Sequence, residues 1–217
     1  PVSNGIQLNS KVVKLDPGSK TVTLASGDEY QFDDLVLTCP LPQILQMTEG
    51  VPDEIQELAD SLEYLSVLCV NVGIHRPALT EKHWIYFPEK EFLFHRIFVQ
   101  GNASPEVCPE GCFSYTAEIT YNANKRIDFE TAGQQTVEGL IKAGLMAADD
   151  QVDVVDLIDI PVAYVVPTHN RGEKVQRIRN WFASHNIHLV GRFAEWAYYN
   201  MDHAIDAGWK LAGDLNR

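Results

Sequence analysis

The chain has no uninterrupted apolar run of about 18 residues, so no membrane-spanning helix is expected. No stretch combines a charged start, an apolar middle and a small-residue cleavage site, so no secretory leader is read from it. A G-x-x-x-x-G-K-[ST] loop to wrap a nucleotide's phosphates is missing. So is a G-x-S-x-G elbow, which argues against acyl-transfer hydrolysis by that route. Basic side chains are scarce: 17 Lys+Arg stand against 30 Asp+Glu, a net charge of -13. Nucleic acid demands a basic footprint and an anionic membrane a basic surface, so neither partner is expected. The acidity reads as solubility. Cysteine is sparse too. Cys39 and Cys69 sit in apolar runs and read as small core residues. Cys108-Pro109-Glu110-Gly111-Cys112 is a CxxxC without a second pair, a weak redox or metal signal. His185-x-x-His188 has no carboxylate at ligand spacing and reads as a solvent-facing pair, so no metal is expected. Reduced thiols in a cytoplasmic setting are the default expectation.

What is present is an ordinary globular composition: 217 residues, 45% apolar and 22% charged, with ample material for a core. Apolar runs bounded by turn residues predict strands over 6–15, 21–24, 30–32 and 35–38. Pro40 and Pro42 then block strand continuation and permit a helix start. A short helix is predicted over 52–59. Strands follow over 64–75, 84–87, 94–99 and 113–120, a helix over 131–145, a strand over 152–166 and a helix over 174–183. The middle of the chain is β-rich with one good helix, an α+β pattern.

The chain's end is its most informative stretch: Gly191-Arg192-Phe193-Ala194-Glu195-Trp196-Ala197-Tyr198-Tyr199-Asn200-Met201-Asp202-His203. It follows the apolar run 187–190 and precedes a helical stripe of Met201, Ile205, Gly208, Leu211 and Leu215. Asn200 stands at the N-cap position and Asp202 in the first turn, where a carboxylate suits the helix dipole. Free N–H groups at such an end bind electron-rich groups. Arg192 reads either as a partner for an anionic group or as a surface ion-pair residue. Period-two alternation predicts that Trp196 and Tyr198 share a face, with Tyr199 pointing away. His203 reads equally as a capping-turn residue or as a polar neighbour of a bound ligand.

This stretch resembles the C-terminal flavin-contacting segment of the FAD-dependent amine oxidase and protoporphyrinogen oxidase-like superfamily; UDP-galactopyranose mutases share a close variant. The segment 164–167 and the helix over 174–183 also resemble that superfamily. So do Val12, Gly27, Asp34 and Thr38 to Pro40, in the pattern of the chain's return into the FAD domain. His95, Arg96 and Glu118 recur in the protoporphyrinogen oxidase-like group within it, without an assigned role. The resemblance implies an α+β fold: a β-rich substrate-type domain plus a partial FAD-binding α/β layer. It implies FAD-domain segments over 1–47 and 168–217, with a substrate-type domain over 48–167 between them. Val12, Gly191, Arg192, Met201 and Asp202 would contact the cofactor, while Trp196 and Tyr198 would line the substrate pocket.

The superfamily's pyrophosphate-binding G-x-G-x-x-G turn is absent, and Gly18, Gly27 and Gly50 stand isolated. Together with Pro1 in place of Met, that points to a C-terminal fragment of an FAD-dependent oxidoreductase acting on an unknown small molecule, inactive alone. A mutase-like sugar-nucleotide isomerase is the alternative, with Arg76, Arg96, Arg171, Arg177 and Arg179 as scattered candidates for a diphosphate grip. A non-catalytic domain that binds a ligand or partner is a third reading. The 217-residue chain is therefore expected to purify colourless; a stoichiometric flavin absorption spectrum would contradict this.

Overall fold

The computed structural model describes residues 5–77 and 79–216. The chain divides into two compact units, one from the chain up to Glu63 together with that from Val165 onward, the other Tyr64–Tyr164. Both mix helix and sheet, and the fold is α+β.

The first unit opens with an antiparallel meander of β1 (Val12–Asp16), β2 (Thr21–Leu24) and β3 (Glu29–Gln31), in that order. Asp16 Oδ1 accepts hydrogen bonds from the Gly18 and Ser19 amides and closes the first turn. Gly27, at φ 93°, makes the second in a conformation that costs glycine no steric clash. The strand expected over 6–15 begins only at Val12. Ile6 and Leu8 are left exposed, and the pairing of β1 with β2 starts at Val12 opposite Leu24. β4 (Leu35–Leu37) then leads through Pro40 into α1 (Leu41–Met47), and α2 (Asp53–Asp60) follows Pro52. Leu41, Ile44 and Leu45 on α1 and Ile55 and Ala59 on α2 point inward.

The second unit is built on a five-stranded sheet. Its strands are β5 (Tyr64–Ile74), β6 (Trp84–Tyr86), β7 (Arg96–Val99), β8 (Phe113–Tyr121) and β9 (Val152–Val165), in the order β6-β7-β8-β5-β9. A short α3 (Gln100–Ala103) follows β7, and α4 (Phe129–Lys142) follows β8. One face carries Leu68, Val70, Val72, Ile97, Ala117 and Ile119, all fully buried against Phe94 and the Leu140 side of α4. Asp128 caps α4 by accepting from the Glu130 amide. Gly133 and Gly139 let that helix sit close: a Cβ on Gly139 would lie 2.7 Å from Phe94 Cε1. β9, at the sheet's edge, is the exception to the buried pattern. Val154, Val155, Ile158 and Ile160 stay exposed along it, interleaved with Asp153, Asp156 and Asp159.

The chain then returns to the first unit as α5 (Arg171–Ala183), β10 (Ile187–Leu189) and α6 (Met201–Leu215). β10 pairs in parallel with β4, matching Ile187 with Leu35 and Leu189 with Leu37. Hydrogen bonds from Leu35 N to Asn186 O (3.0 Å) and from Val190 N to Leu37 O (3.0 Å) extend the pairing at both ends. α5 covers β10 and also packs on α2. Val175, Ile178 and Phe182 fill that side. The unit boundaries fall at 63/64 and 164/165 rather than at 47/48 and 167/168, because α2 belongs with α1 and α5. None of α6 is buried: Met201, Ile205 and Trp209, one turn apart, are 84%, 71% and 81% exposed.

Two glycine-to-alanine changes test this packing. Ala in a helix interior gains roughly 0.8–1 kcal/mol over Gly. At Gly139 that gain meets the buried Phe94 ring, and overpacking costs about 1–3 kcal/mol. Gly139→Ala should therefore lower the urea midpoint of unfolding, by about 1 kcal/mol net. Gly208→Ala on α6, where no atom lies within 4 Å of the new Cβ, should raise stability. Equal shifts of the same sign would contradict the packing described.

Candidate functional site

Two places combine polar groups with exposed aromatic surface, one in each unit. In the first unit it is the stretch singled out in the sequence. Gly191 takes φ 87° as the chain leaves β10, and its amide donates to Glu195 Oε1 at 3.0 Å. Glu195 Oε2 accepts from Tyr199 Oη at 3.1 Å and from Arg179 Nη1 at 3.3 Å. Burial and the neighbouring Glu195 carboxylate raise the Tyr199 phenol pKa above its ordinary value. Arg192 Nη1 donates to the Tyr199 carbonyl at 2.8 Å, and its guanidinium lies 4.9 Å from the Tyr198 ring centroid. Residues 191–199 thus form a loop held by two side chains, Arg192 and Glu195.

The tight turns of this loop overturn one expectation. Trp196 and Tyr198 do not share a face. Trp196 sits at φ 51° and is 1% exposed, while Tyr198 is 65% exposed. Period-two alternation needs extended backbone, and this segment is a run of turns. Trp196 fills the core instead of forming an open pocket wall. Its carbonyl accepts from Arg171 Nη1 at 2.7 Å, so the loop is anchored to the start of α5.

Asn200 caps α6 as its position suggested. Its side chain binds the His203 amide, and His203 Nδ1 faces the Asn200 amide at 3.4 Å, closing a capping box. His203 also stacks on Tyr199, 5.6 Å between ring centroids, so of its two readings the capping role is the one seen. Asp202 lies in the first turn, exposed, beside Met201. Val12 is on the meander, opposite Leu24. The 185/188 histidines are not a free pair. His188 Nε2 lies 2.8 Å from Asp34 Oδ1 across the β4–β10 pairing, and His185 Nδ1 lies 2.9 Å from the Trp181 carbonyl.

The second place was not read from the sequence as a site. It is the face of the five-stranded sheet opposite α4. Strand register lines up Tyr86, Arg96, Glu118 and Cys69 in one row across four strands. The next row is Trp84, Phe98, Thr116 and Asn71. Arg96 Nε and Nη2 reach Glu118 Oε1 at 3.0 and 2.6 Å, and Nη2 also meets Tyr164 Oη at 2.9 Å. The guanidinium lies 4.6 Å from the Trp84 ring centroid and 5.8 Å from that of Tyr86. Desolvation opposes its charge, but the Glu118 carboxylate and the Tyr86 and Tyr164 hydroxyls outweigh it and raise its pKa. Beside this row, Thr116 Oγ1 donates to Asn71 Oδ1 at 2.7 Å. Next to Arg96, burial holds the His95 imidazole below its usual pKa. A charged fork, a phenol and two exposed rings suit a flat polar molecule laid on the sheet. A signal for this face did exist in the sequence. Cys69 and Asn71, and Thr116 and Glu118, are polar positions two apart inside otherwise apolar runs, which places each pair on one strand face.

The model of the family described as flavin containing amine oxidoreductase matches residues 2–216. A crystal structure of reduced UDP-galactopyranose mutase superposes with TM-score 0.86 and 27% identity, over 94% of this chain and 46% of that one. A putative protoporphyrinogen oxidase from Exiguobacterium sp. 255-15 gives 0.69 and 15% identity, over 90% of this chain and 43% of that one. A CLA-producing fatty acid isomerase from P. acnes gives 0.67 and 15%, over 95% and 47%. At 15% identity the last two show the fold alone. The chain spans just under half the length of each of the three proteins. Among the described residues no helix is long and apolar enough to cross a membrane.

The Arg96–Glu118 pair gives a direct test. Glu118→Gln removes a charge-assisted bond and should cost about 1.5–3 kcal/mol in urea unfolding. Replacing both, Arg96→Met with Glu118→Leu, should cost less than the sum of the single changes, because no lone charge is left in the sheet. Strict additivity would show that the pair is not coupled.

Proposed function

We propose, from the premise that this chain belongs to the flavin-containing amine oxidoreductase family, that it is part of an FAD-dependent oxidoreductase acting on a small organic molecule. The observation that carries the redox reading concerns the arginines. Arg76 is bound to Asp150 at 2.9 Å, Arg96 to Glu118, Arg171 to the Trp196 carbonyl, Arg177 to Glu54 at 3.0 Å, and Arg179 to Glu195. A sugar-nucleotide isomerase has to grip a diphosphate, and each of these five already holds an acceptor within the chain. The mutase reading stands second, supported by the 27% identity and TM-score of 0.86 with the mutase structure.

The start of α6 fits the electron-rich edge of a flavin. The first N–H groups of any helix have no intrahelical acceptor. The capping box uses the His203 amide, so the Met201 and Asp202 amides are the donors to offer, at the positive end of a 15-residue helix. Exposed Met201 and Tyr198 set apolar and aromatic surface beside them. In this reading Gly191 and Arg192 shape the loop and place a positive charge near the cofactor, and Val12 contributes a further apolar contact. Bound flavin supplies the two-electron chemistry. The other half of the full-length protein would supply the pyrophosphate cradle. The polar face around Arg96, Glu118 and Tyr164 is the proposed substrate surface of the second unit.

Met201→Pro in the full-length protein removes one amide donor at a position where Pro is accepted. Weaker flavin retention or a lowered reduction potential is expected, by on the order of 1 kcal/mol for one lost hydrogen bond. Unchanged flavin affinity and potential would remove Met201 from the contact. Redox and mutase readings separate in one assay: the dithionite-reduced full-length protein is given UDP-galactopyranose. Ring isomerisation without net electron transfer would overturn the redox reading; reoxidation by an electron acceptor, with no isomerisation, is expected.

A further inference from the structure

Three strand ends of the second unit converge on one point away from both places described above. His75 directly follows β5, Cys112 directly precedes β8, and Asp153 is the second residue of β9. The antiparallel register that sets Ile74 against Phe113 brings His75 and Cys112 together at the end of the ladder. β9 runs beside β5 and delivers Asp153. His75 Nδ1 lies 3.7 Å from Cys112 Sγ and 3.6 Å from Asp153 Oδ2, and Cys112 Sγ lies 3.9 Å from that same oxygen. We propose that His75, Cys112 and Asp153 bind a divalent transition-metal ion of the zinc type, leaving a fourth coordination position for water.

The distances support this chemistry. Zinc bonds of about 2.3 Å to sulfur, 2.0–2.1 Å to imidazole nitrogen and 2.0–2.2 Å to carboxylate oxygen, at tetrahedral angles, put ligand atoms about 3.4–3.6 Å apart. The three observed separations need to shrink only slightly to reach that range. One thiolate, one neutral imidazole and one carboxylate carry two negative charges, which a divalent ion balances within a chain of net charge -13. Mixed sulfur, nitrogen and oxygen donors suit zinc better than the hard ions magnesium and calcium.

A supporting shell is present. Gln151 Nε2 donates to the other Asp153 oxygen, Oδ1, at 2.7 Å, which leaves Oδ2 for the metal. The His75 amide donates to the Gln151 carbonyl at 3.0 Å and fixes the imidazole's backbone. Cys112 is presented by a turn in which its amide donates to the Pro109 carbonyl at 3.0 Å and Gly111 takes φ 78°. A nucleophilic cysteine triad needs its thiol and carboxylate on opposite ring nitrogens, whereas here both face Nδ1. A redox pair with Cys108 is not what the geometry favours: Cys108 Sγ is turned to Ser114 Oγ at 3.1 Å, and both cysteines are free thiols. A metal site was not expected from the sequence, because its three ligands come from segments about 40 residues apart, beyond any local spacing rule.

Cobalt(II) is the probe. The protein, stripped with a chelator and kept reduced, is titrated with Co²⁺ and then with Zn²⁺. One equivalent of Co²⁺ is expected to produce a thiolate-to-cobalt charge-transfer band that Zn²⁺ abolishes. Cys112→Ser should remove the band, while Cys108→Ser should keep it. Asp153→Asn, nearly isosteric, should weaken Zn²⁺ binding at least tenfold, and Gln151→Ala by about 10–100-fold. Circular dichroism of each variant establishes that the fold is kept. The proposal is overturned by any of three results: no charge-transfer band in the reduced, folded protein; a band that survives Cys112→Ser; or a Cys108–Cys112 disulfide in the protein purified without reductant.

Discussion

The parallel pairing of β4 with β10 is the constraint on which the first unit depends. Each strand contributes three residues, too few to hold together alone, and nearly 150 residues separate them. Parallel strands cannot be joined by a tight turn; they need a crossover. Here the crossover carries an entire second unit, α5 included in the return. The pairing survives because its side chains are buried from several directions. Ile187 and Leu189 are buried on the strand that α5 covers, Leu37 is buried on its partner, and Leu41 N reaches the Phe193 carbonyl at 3.2 Å just past β10. The long insertion costs less than its length suggests, since closure entropy grows only with the logarithm of loop length. β5 and β9 begin and end the inserted unit and are neighbours in its sheet, so the insert leaves and re-enters at adjacent strands.

Much of this was legible in the sequence where a pattern was local. The strand expected over 64–75, the helix expected over 131–145 and the Asn200 cap are seen as β5, α4 and the start of α6, and all follow from period and turn chemistry within a dozen residues. Three things were not. The start of β1 depended on where β2 ends, a partner choice that alternation cannot express. Trp196 was assigned to the wrong face because a run of turns, with Trp196 itself at positive φ, erased the alternation on which the reading relied. α2 was placed in the middle block although its apolar face meets α5, more than a hundred residues later. The polar sheet face was half visible as Asn71, Thr116 and Glu118 in apolar strands. Only the register across four strands shows that they share a surface with Arg96 and Trp84.

The two places treated as candidate sites are built on opposite principles. Around α6 the groups are backbone amides and a loop held by Arg192 and Glu195, so the loop's shape sets what is presented. On the sheet the groups are side chains anchored two by two on rigid strands, with Arg96 held by an acid, a phenol and two rings at once. Fixed side chains of that kind keep their geometry when a ligand arrives, which favours orientation over accommodation.

The exposed edge of the sheet in the second unit has a consequence for solution behaviour. A 14-residue edge strand bearing exposed Val154, Val155, Ile158 and Ile160 is the kind of surface on which chains join edge to edge. Asp153, Asp156 and Asp159 recur every third residue, so they alternate between the two sides of β9 and charge both. Pro161 removes one ladder donor from the same strand. Keeping neighbouring molecules apart therefore falls to like-charge repulsion, and that repulsion is long-ranged only when few ions screen it. The resistance of this edge to pairing is in that sense an ionic-strength property of the carboxylates along one strand.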